Sequence, residues 1–432
     1  PLIDAIAPVT LFGLLAKSLI PKPQQKLVAG IRQFVAPPVD TELMFISTED
    51  TTVAATPENP RLGFTNKEQA DRITGLLRNI GLTYGFAEIV IVSAHGSISQ
   101  NNPHLAAYDC GACSGRHGGP NSRLFAAMAN RPEIRKLIAE RGINIPDDTW
   151  FVGTEHNTCN EEIIWYDVDD VPAERLGALK KIQQELRHAQ RMSAHERCRR
   201  LASAPRNPTL EQAFKHIQER ATDFSQARPE LGHATVAWAA VGRRSMTRGI
   251  FLDRRVFLIS YDSTQDPEGK VLEGILLAAT PVGAGINLEY YFSTVNNERF
   301  GCGTKIPHNV AGMFGVMEGA SSDLRTGLPR QMIEIHEAMR LQVLIEAKTS
   351  VLEQIYGRQE SLRELIGGGW VHLSVKDPDS GEIFIFERGI GFVPWQAEES
   401  YLPTYEKSAD YYRNQTLPLP PVLIRQPELS EA

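Results

Sequence analysis

Cysteine is scarce in this 432-residue chain: Cys110, Cys113, Cys159, Cys198 and Cys302 are all it has. Five scattered thiols cannot build the disulfide framework of a small secreted domain, so a reducing compartment with free or metal-binding thiols is expected. Long apolar runs are lacking too. The N-terminal stretch Pro1 to Ile20 is interrupted by Asp4, Pro8 and Lys17, and its charge-free run, Ala5 to Ala16, is shorter than the ~20 residues of a bilayer-spanning helix. A core helix is expected there, with packing against a membrane or an integral partner as the second reading. No signal-peptide pattern and no internal repeat are visible. An excess of positive charge is missing: the net charge of −7 argues against nucleic acid as a partner. The Gly-rich stretch Phe300 to Gly319 lacks the Gly-Lys-Ser/Thr ending of a Walker loop, so close backbone packing explains it better than phosphate binding.

What is present is ordinary globular composition, 42% hydrophobic and 22% charged, with length for two or three cores. Residues 21–62 are rich in Pro and Thr and read as a connecting segment, with a short strand at Leu43 to Ile46. Thr65-Asn-Lys-Glu68 is a capping box opening a helix whose stripe is Ile73, Leu76, Leu77 and Ile80, ended by Gly81. Phe86 to Ser93 reads as a central buried strand. Helices follow at Asn121 to Asn130 and from Pro132 to Gly142, then a strand at Thr149 to Thr154. Pro172 opens a helix running to about Ala202. Its second half carries Arg187, Arg191, Arg197, Arg199 and Arg200, a solvated face or, as the sharper reading, a docking surface for anionic lipid or an acidic partner. Further on, strands are expected at Arg255 to Tyr261, Leu272 to Thr280 and Tyr290 to Gly303, a helix at Gln331 to Lys348, and a hairpin of Trp370 to Val375 with Ile383 to Glu387. The last thirty or so residues read as an extended tail.

The fold class is therefore α/β: a mixed, mainly parallel sheet with flanking helices, a long helical insertion and a C-terminal hairpin. Five regions follow: an N-terminal connecting segment (1–62), an α/β half-domain holding the candidate site (63–170), a helical segment (171–228), a second α/β region (229–345) and a hairpin with tail (346–432).

Chemistry concentrates between Ile89 and Arg123. A buried β-branched strand runs up to His95, and a loop dense in Gly, Asn and Pro then carries Cys110 and Cys113. Sites in open α/β sheets lie beyond the carboxyl ends of strands, and imidazole with thiolate suits zinc. Three arrangements compete. One is a zinc site using His95 and Cys110 with two ligands from elsewhere. Another is a structural zinc on Cys110, Cys113, His156 and Cys159, two pairs at knuckle spacing. The third is a metal-free Cys-His hydrolase, for which no orienting acid stands out. His104, His117, His216, His233 and His336 have no comparable context and read as structural or exposed.

Several stretches resemble the DabA family of probable inorganic carbon transporter subunits. They are Ala94-His-Gly-Ser97, Asn101-Asn-Pro103, Tyr108-Asp-Cys-Gly-Ala-Cys113 and His156-Asn-Thr158. Tyr290-Tyr-Phe-Ser-Thr-Val295, Gly301 to Gly303, His308-Asn-Val310, Gly312, Gly315-Val-Met317 and Ser322 to Pro329 join them, and the resemblance spans Phe64 to Trp370. It implies a site and fold like those of β-type carbonic anhydrases, with zinc held by a Cys-x-Asp-x-Arg element and by a downstream His and Cys that match His95 and Cys110. It also implies a DabB-type membrane partner related to proton-translocating antiporters, CO2 hydration to bicarbonate coupled to an ion gradient, and a peripheral place on the cytoplasmic face of the inner membrane. The departure is that no Cys here is followed two residues later by Asp. The Asp-Arg pair and half of the zinc site are therefore expected outside this chain, and the start at Pro1 agrees with a piece of a longer protein. Ala94 and Ser114 stand where the family tends to have Gly, and Cys159 where it tends to have Thr, which creates the rival four-ligand set. The alternative function is a non-catalytic scaffold, stabilised by structural zinc, that docks on a membrane protein.

Overall fold

The computed structural model describes residues 2–37, 39, 41–43, 56–58, 63–97, 116–223, 225–304, 316–317, 324–325, 327–397 and 401–425. The chain separates into two compact units, Pro1–Arg191 with Gln218–Phe224, and Met192–Ile217 with Ser225–Ala432.

The first unit begins with α1 (Leu2–Leu19) and α2 (Pro21–Val35). The core helix expected at the N-terminus does form as a helix, but Val9 is 70% and Phe12 72% exposed, so it is no core element here. The connecting segment expected from residue 21 is corrected as well. Pro21 and Pro23 suit a first turn, where a missing N–H costs nothing, and the chain stays helical to Val35. Of the strand expected at Leu43 to Ile46, residues 44–46 lie outside the described residues.

The capping box forms as expected at the start of α3 (Asn66–Asn79): Glu68 N donates to Thr65 Oγ1 at 3.2 Å and Thr65 N to Glu68 Oε2 at 2.9 Å. Ile73 and Leu77 are buried, whereas Leu76 and Ile80 are exposed; Ala70 and Thr74 complete the inward face instead. Strand β1 (Ile89–Gly96) then pairs in parallel with β2 (Trp150–Asn157), and β2 pairs antiparallel with β3 (Ile163–Trp165). The expected strand starts three residues late and runs on through His95. It stands at the edge of the described sheet, with β2 in the centre. Between β1 and β2 lie α4 (Gly119–Ala129) and α5 (Pro132–Ala139). With α3 they bury Phe151, Ile134 and Ile138 on one sheet face, while α6 (Leu176–Cys198) packs Leu179 against Ile89 and Val152 on the other.

The second unit contains α7 (Leu210–Ala221) only in part, and is built on a six-stranded sheet. Its strands are β4 (Trp238–Gly242), β5 (Val256–Ser260), β6 (Gln342–Glu346), β7 (His372–Lys376), β8 (Ile383–Glu387) and β9 (Gly391–Trp395), in the order β9-β8-β7-β6-β4-β5. Strands β5, β4, β6 and β7 are mutually parallel. The expected hairpin is β7–β8, turned by the Asp377 carboxylate, which accepts from Asp379 N at 2.9 Å and Ser380 N at 3.0 Å.

Three expectations fail in this unit. Leu272 to Thr280 and Tyr290 to Val295 are not strands but parts of one helix, α8 (Lys270–Val295). Parallel strands β5 and β6 need a crossover, and an apolar run cannot be told from a buried helix by periodicity alone. The helix expected at Gln331 to Lys348 survives only as the turn Arg330–Ile333; the rest includes β6, where the β-branched Val343 and Ile345 and pairing on both edges favour a strand. Among the described helices α8 alone is long and apolar enough to cross a membrane. It nonetheless buries Leu272, Leu276 and Ala284 in the core of this unit. Asn287 ties it to the sheet by donating to Val236 O and Met339 O and accepting from Leu341 N, at 3.0–3.2 Å. The basic end of α6 is corrected in part: Arg197 and Arg200 are buried, so a solvated face holds for Arg187 but not for them.

No sequence repeat is visible, yet one strand order occurs twice. Strand β1 runs parallel to β2, which is antiparallel to β3; β6 runs parallel to β7, which is antiparallel to β8.

Gly153 in β2 is where helix α4 meets the first sheet most closely. A Cβ there would stand 2.7 Å from Arg123 Cα and 2.8 Å from Ser122 O, and backbone cannot swing aside. Gly153→Ala is expected to destabilise the first unit by about 2–3 kcal/mol, as overpacking does, read as a lower urea midpoint at unchanged slope.

Candidate functional site

Parallel strands β1 and β2 end side by side, with His95 opposite His156. His95 Nε2 lies 3.0 Å from Thr158 Oγ1. The backbone around it is closed from two directions. Thr158 N donates to Gly96 O at 2.9 Å, and Gly118 N donates to His95 O at 2.8 Å. The second bond brings the chain back to His95 after the segment that carries Cys110 and Cys113. Those two cysteines lie outside the described residues, as do residues 98–115 as a whole. The structure thus places one member of the expected zinc pair, on a rigid strand end.

The rival ligands lie at the same end of the sheet. His156 Nε2 is 2.7 Å from Glu161 Oε2, and Cys159, fully buried, has its Sγ 3.1 Å from Ser97 Oγ. Among the described residues no group of three or more His, Cys, Asp and Glu side chains is arranged to hold a metal.

Sequence reasoning missed Glu155. It sits on β2 with 1% of its surface exposed, and its Oε2 accepts from His117 Nδ1 at 2.6 Å, Gly119 N at 3.1 Å and the Tyr166 hydroxyl at 3.1 Å. Gly119 opens α4, so the carboxylate faces the positive end of a helix. A Cβ on Gly96 or Gly119 would strike this carboxylate, which explains glycine at both positions. His117, read from sequence as structural or exposed, is half-exposed and held by Glu155. The available signal was an acid inside an otherwise buried strand, since such residues are seldom buried unless partnered. Beside it Arg123 Nε donates to Asp167 Oδ2 at 2.7 Å, with its guanidinium 5.9 Å from the Tyr166 ring centre.

In the second unit the corresponding strand ends are already filled. Glu346, at the end of β6, accepts from Arg243 Nε, Nη2 and N at 2.9–3.0 Å. Burial opposes its ionisation, but the Arg243 hydrogen bonds outweigh that and keep the carboxyl below its ordinary range. This ion pair occupies the crevice between β4 and β6, where strand order reverses and ligands commonly bind.

Burial, then the charge of Glu155 and the bond to it, push the Tyr166 hydroxyl up to about 12. Glu155→Gln removes the charge, so Tyr166 is expected to ionise at lower pH than in the unaltered chain. Tyrosine ring-carbon NMR over pH 9–13 checks this; an unchanged midpoint would mean the carboxylate is not beside the phenol.

A family profile described as "Probable inorganic carbon transporter subunit DabA" matches residues 1–371. A protein of that name from Methylococcus capsulatus is 58% identical over 98% of this chain and 39% of its own length. One from Nitrosococcus oceani is 54% identical over 100% of this chain and 40% of its own. One from Dechloromonas aromatica is 54% identical over 98% and 42%. No solved structure matches. The chain spans about two-fifths of the length of these curated relatives. With more than half of its residues matched by the profile, this chain belongs to the DabA family of probable inorganic carbon transporter subunits.

Proposed function

We propose that this chain contributes the His95 and Cys110 side of a zinc centre in an energy-coupled inorganic carbon uptake system. The complete protein hydrates CO2 to bicarbonate together with a membrane subunit of the DabB type, related to proton-translocating antiporters, on the cytoplasmic face of the inner membrane. The observation that carries this reading is the position of His95, at the carboxyl end of a parallel strand with its ring against Thr158. The names of the relatives support inorganic carbon as the substrate class.

The donor set suits the ion. Imidazole and thiolate are the ligand types zinc prefers, and ligating histidines commonly use their second nitrogen in a hydrogen bond that fixes the ring. In the tautomer with the proton on Nε2, His95 donates to Thr158 and Nδ1 carries the lone pair. Zinc so held supplies Lewis acidity, lowering the pKa of water to about 7. The chain's own residues orient and enclose. Thr158 sets the His95 ring, Gly118 N fixes the His95 carbonyl, and Glu155 with His117 and Tyr166 locks the α4 end of the site. The scaffold alternative asks His156 and Cys159 to ligate, and each is engaged at one side-chain atom, with Glu161 and Ser97.

In the complete protein, His95→Ala and Cys110→Ser are each expected to strip zinc and abolish growth at air-level CO2, while Cys159→Ser keeps both. Zinc at full stoichiometry with unimpaired growth in both ligand variants would reject the assignment. Zinc lost only in Cys113→Ser and Cys159→Ser would favour the scaffold.

A further inference from the structure

Within the second unit a cavity of about 980 Å³ opens between the end of α6, the loop after it and the segment Tyr412 to Thr416. Its lining is charged with one sign. Arg199, Arg200, Arg206 and Arg413 line it with His195, and no Asp or Glu does. Asp253, outside the lining, pairs with both Arg199 and Arg200. Of the nearby acids, Glu196 pairs directly with Arg254 and Glu337 with Arg255, and each also acts at longer range on Arg199 or Arg200.

Part of this arginine cluster has a structural task. Arg199 Nη1 donates to Leu417 O at 2.9 Å and Arg200 Nη2 to Ile335 O at 2.8 Å, fastening the C-terminal segment and a loop. That task does not use up the charge. The side chains of Arg199 and Arg200 are 7% and 5% exposed, and Arg199 Nε, buried, has no hydrogen-bond acceptor. Burial, and then the neighbouring Arg200, push the Arg199 guanidinium down to about 10 against the opposing pull of Glu196. Arg206 and Arg413 stand exposed at the cavity mouth, and Asn207, Asn414 and Gln415 add neutral hydrogen-bonding groups.

We propose that this cavity binds a phosphoryl-bearing anion. Four arginines and no acid line the cavity, which favours a multiply charged anion, and a phosphoryl group carries about −1.5 to −2. All the long cations lining the site are arginines, the residue whose planar fork matches phosphate in bidentate fashion. The volume lies at the upper end of small-molecule sites, roughly 300–1,000 Å³, and far exceeds that of a triatomic or carbonate species. The site is remote in sequence from His95 and Cys110 and does not depend on the zinc reading.

The test uses this chain with two probes, pyrophosphate in solution and vesicles of phosphatidylglycerol in phosphatidylcholine, by calorimetry and co-sedimentation. Arg206→Ala with Arg413→Ala leaves the buried clasp on Asp253 intact, so folding is retained and is checked by circular dichroism. Saturable binding of either probe that weakens at least tenfold in the double variant supports the site. Pyrophosphate binding assigns it to a soluble ligand, and vesicle binding alone to a lipid headgroup. No saturable binding of either probe, or equal binding by the double variant, overturns it.

Discussion

A buried carboxyl group, that of Glu155, governs the first unit. Glu155 sits at a position with 1% exposure, and a carboxyl group withdrawn from water without hydrogen-bond partners is costly. The structure answers with an imidazole, a phenol and the first amide of α4, all on one oxygen. That convergence is possible only because Gly96 and Gly119 lack side chains. It holds the start of α4 to β2, while the Gly118–His95 bond holds it to the end of β1. His95 is thus mounted on a rigid frame, the condition a metal ligand or any other preorganised group requires.

The second unit offers an internal contrast. It repeats the parallel-then-antiparallel strand order of β1, β2 and β3, and adds β4 and β5 on the far side of β6. At the strand ends where the first unit has an imidazole, it has the Arg243–Glu346 pair, bidentate and with Glu346 buried. Similar backbone positions therefore carry different chemistry: an imidazole in one, a fixed ion pair in the other. Function follows the side chains placed at the strand ends rather than the strand order itself.

Local signals were legible wherever they are settled by neighbours in sequence. The Thr65–Glu68 box, the Pro132 start and Gly142 stop of α5, and the Asp377 turn each satisfy their own backbone groups, and each stands where the residues predicted. Elements decided by distant partners were not legible. Leu272 to Thr280 is helical because β5 and β6 must be bridged, and Gln342 to Glu346 is a strand because β4 and β7 flank it. The arginines ending α6 looked like surface residues since their counter-charge, Asp253, comes more than fifty positions later. The site shows the same division. His95 could be found from the strand that leads to it, whereas Glu155, His117 and Tyr166 acquire meaning only from contacts across 11 and 38 positions.

The function proposed for this chain turns on whether His95 and Cys110 bind one zinc ion. X-ray absorption at the zinc edge of the complete protein addresses it directly. A mixed shell is expected, with sulfur at about 2.3 Å and nitrogen or oxygen at about 2.0 Å. The imidazole outer-shell signal should disappear in His95→Ala, and the sulfur contribution should fall in Cys110→Ser. A shell with no imidazole signal, or one that neither substitution alters, would contradict it.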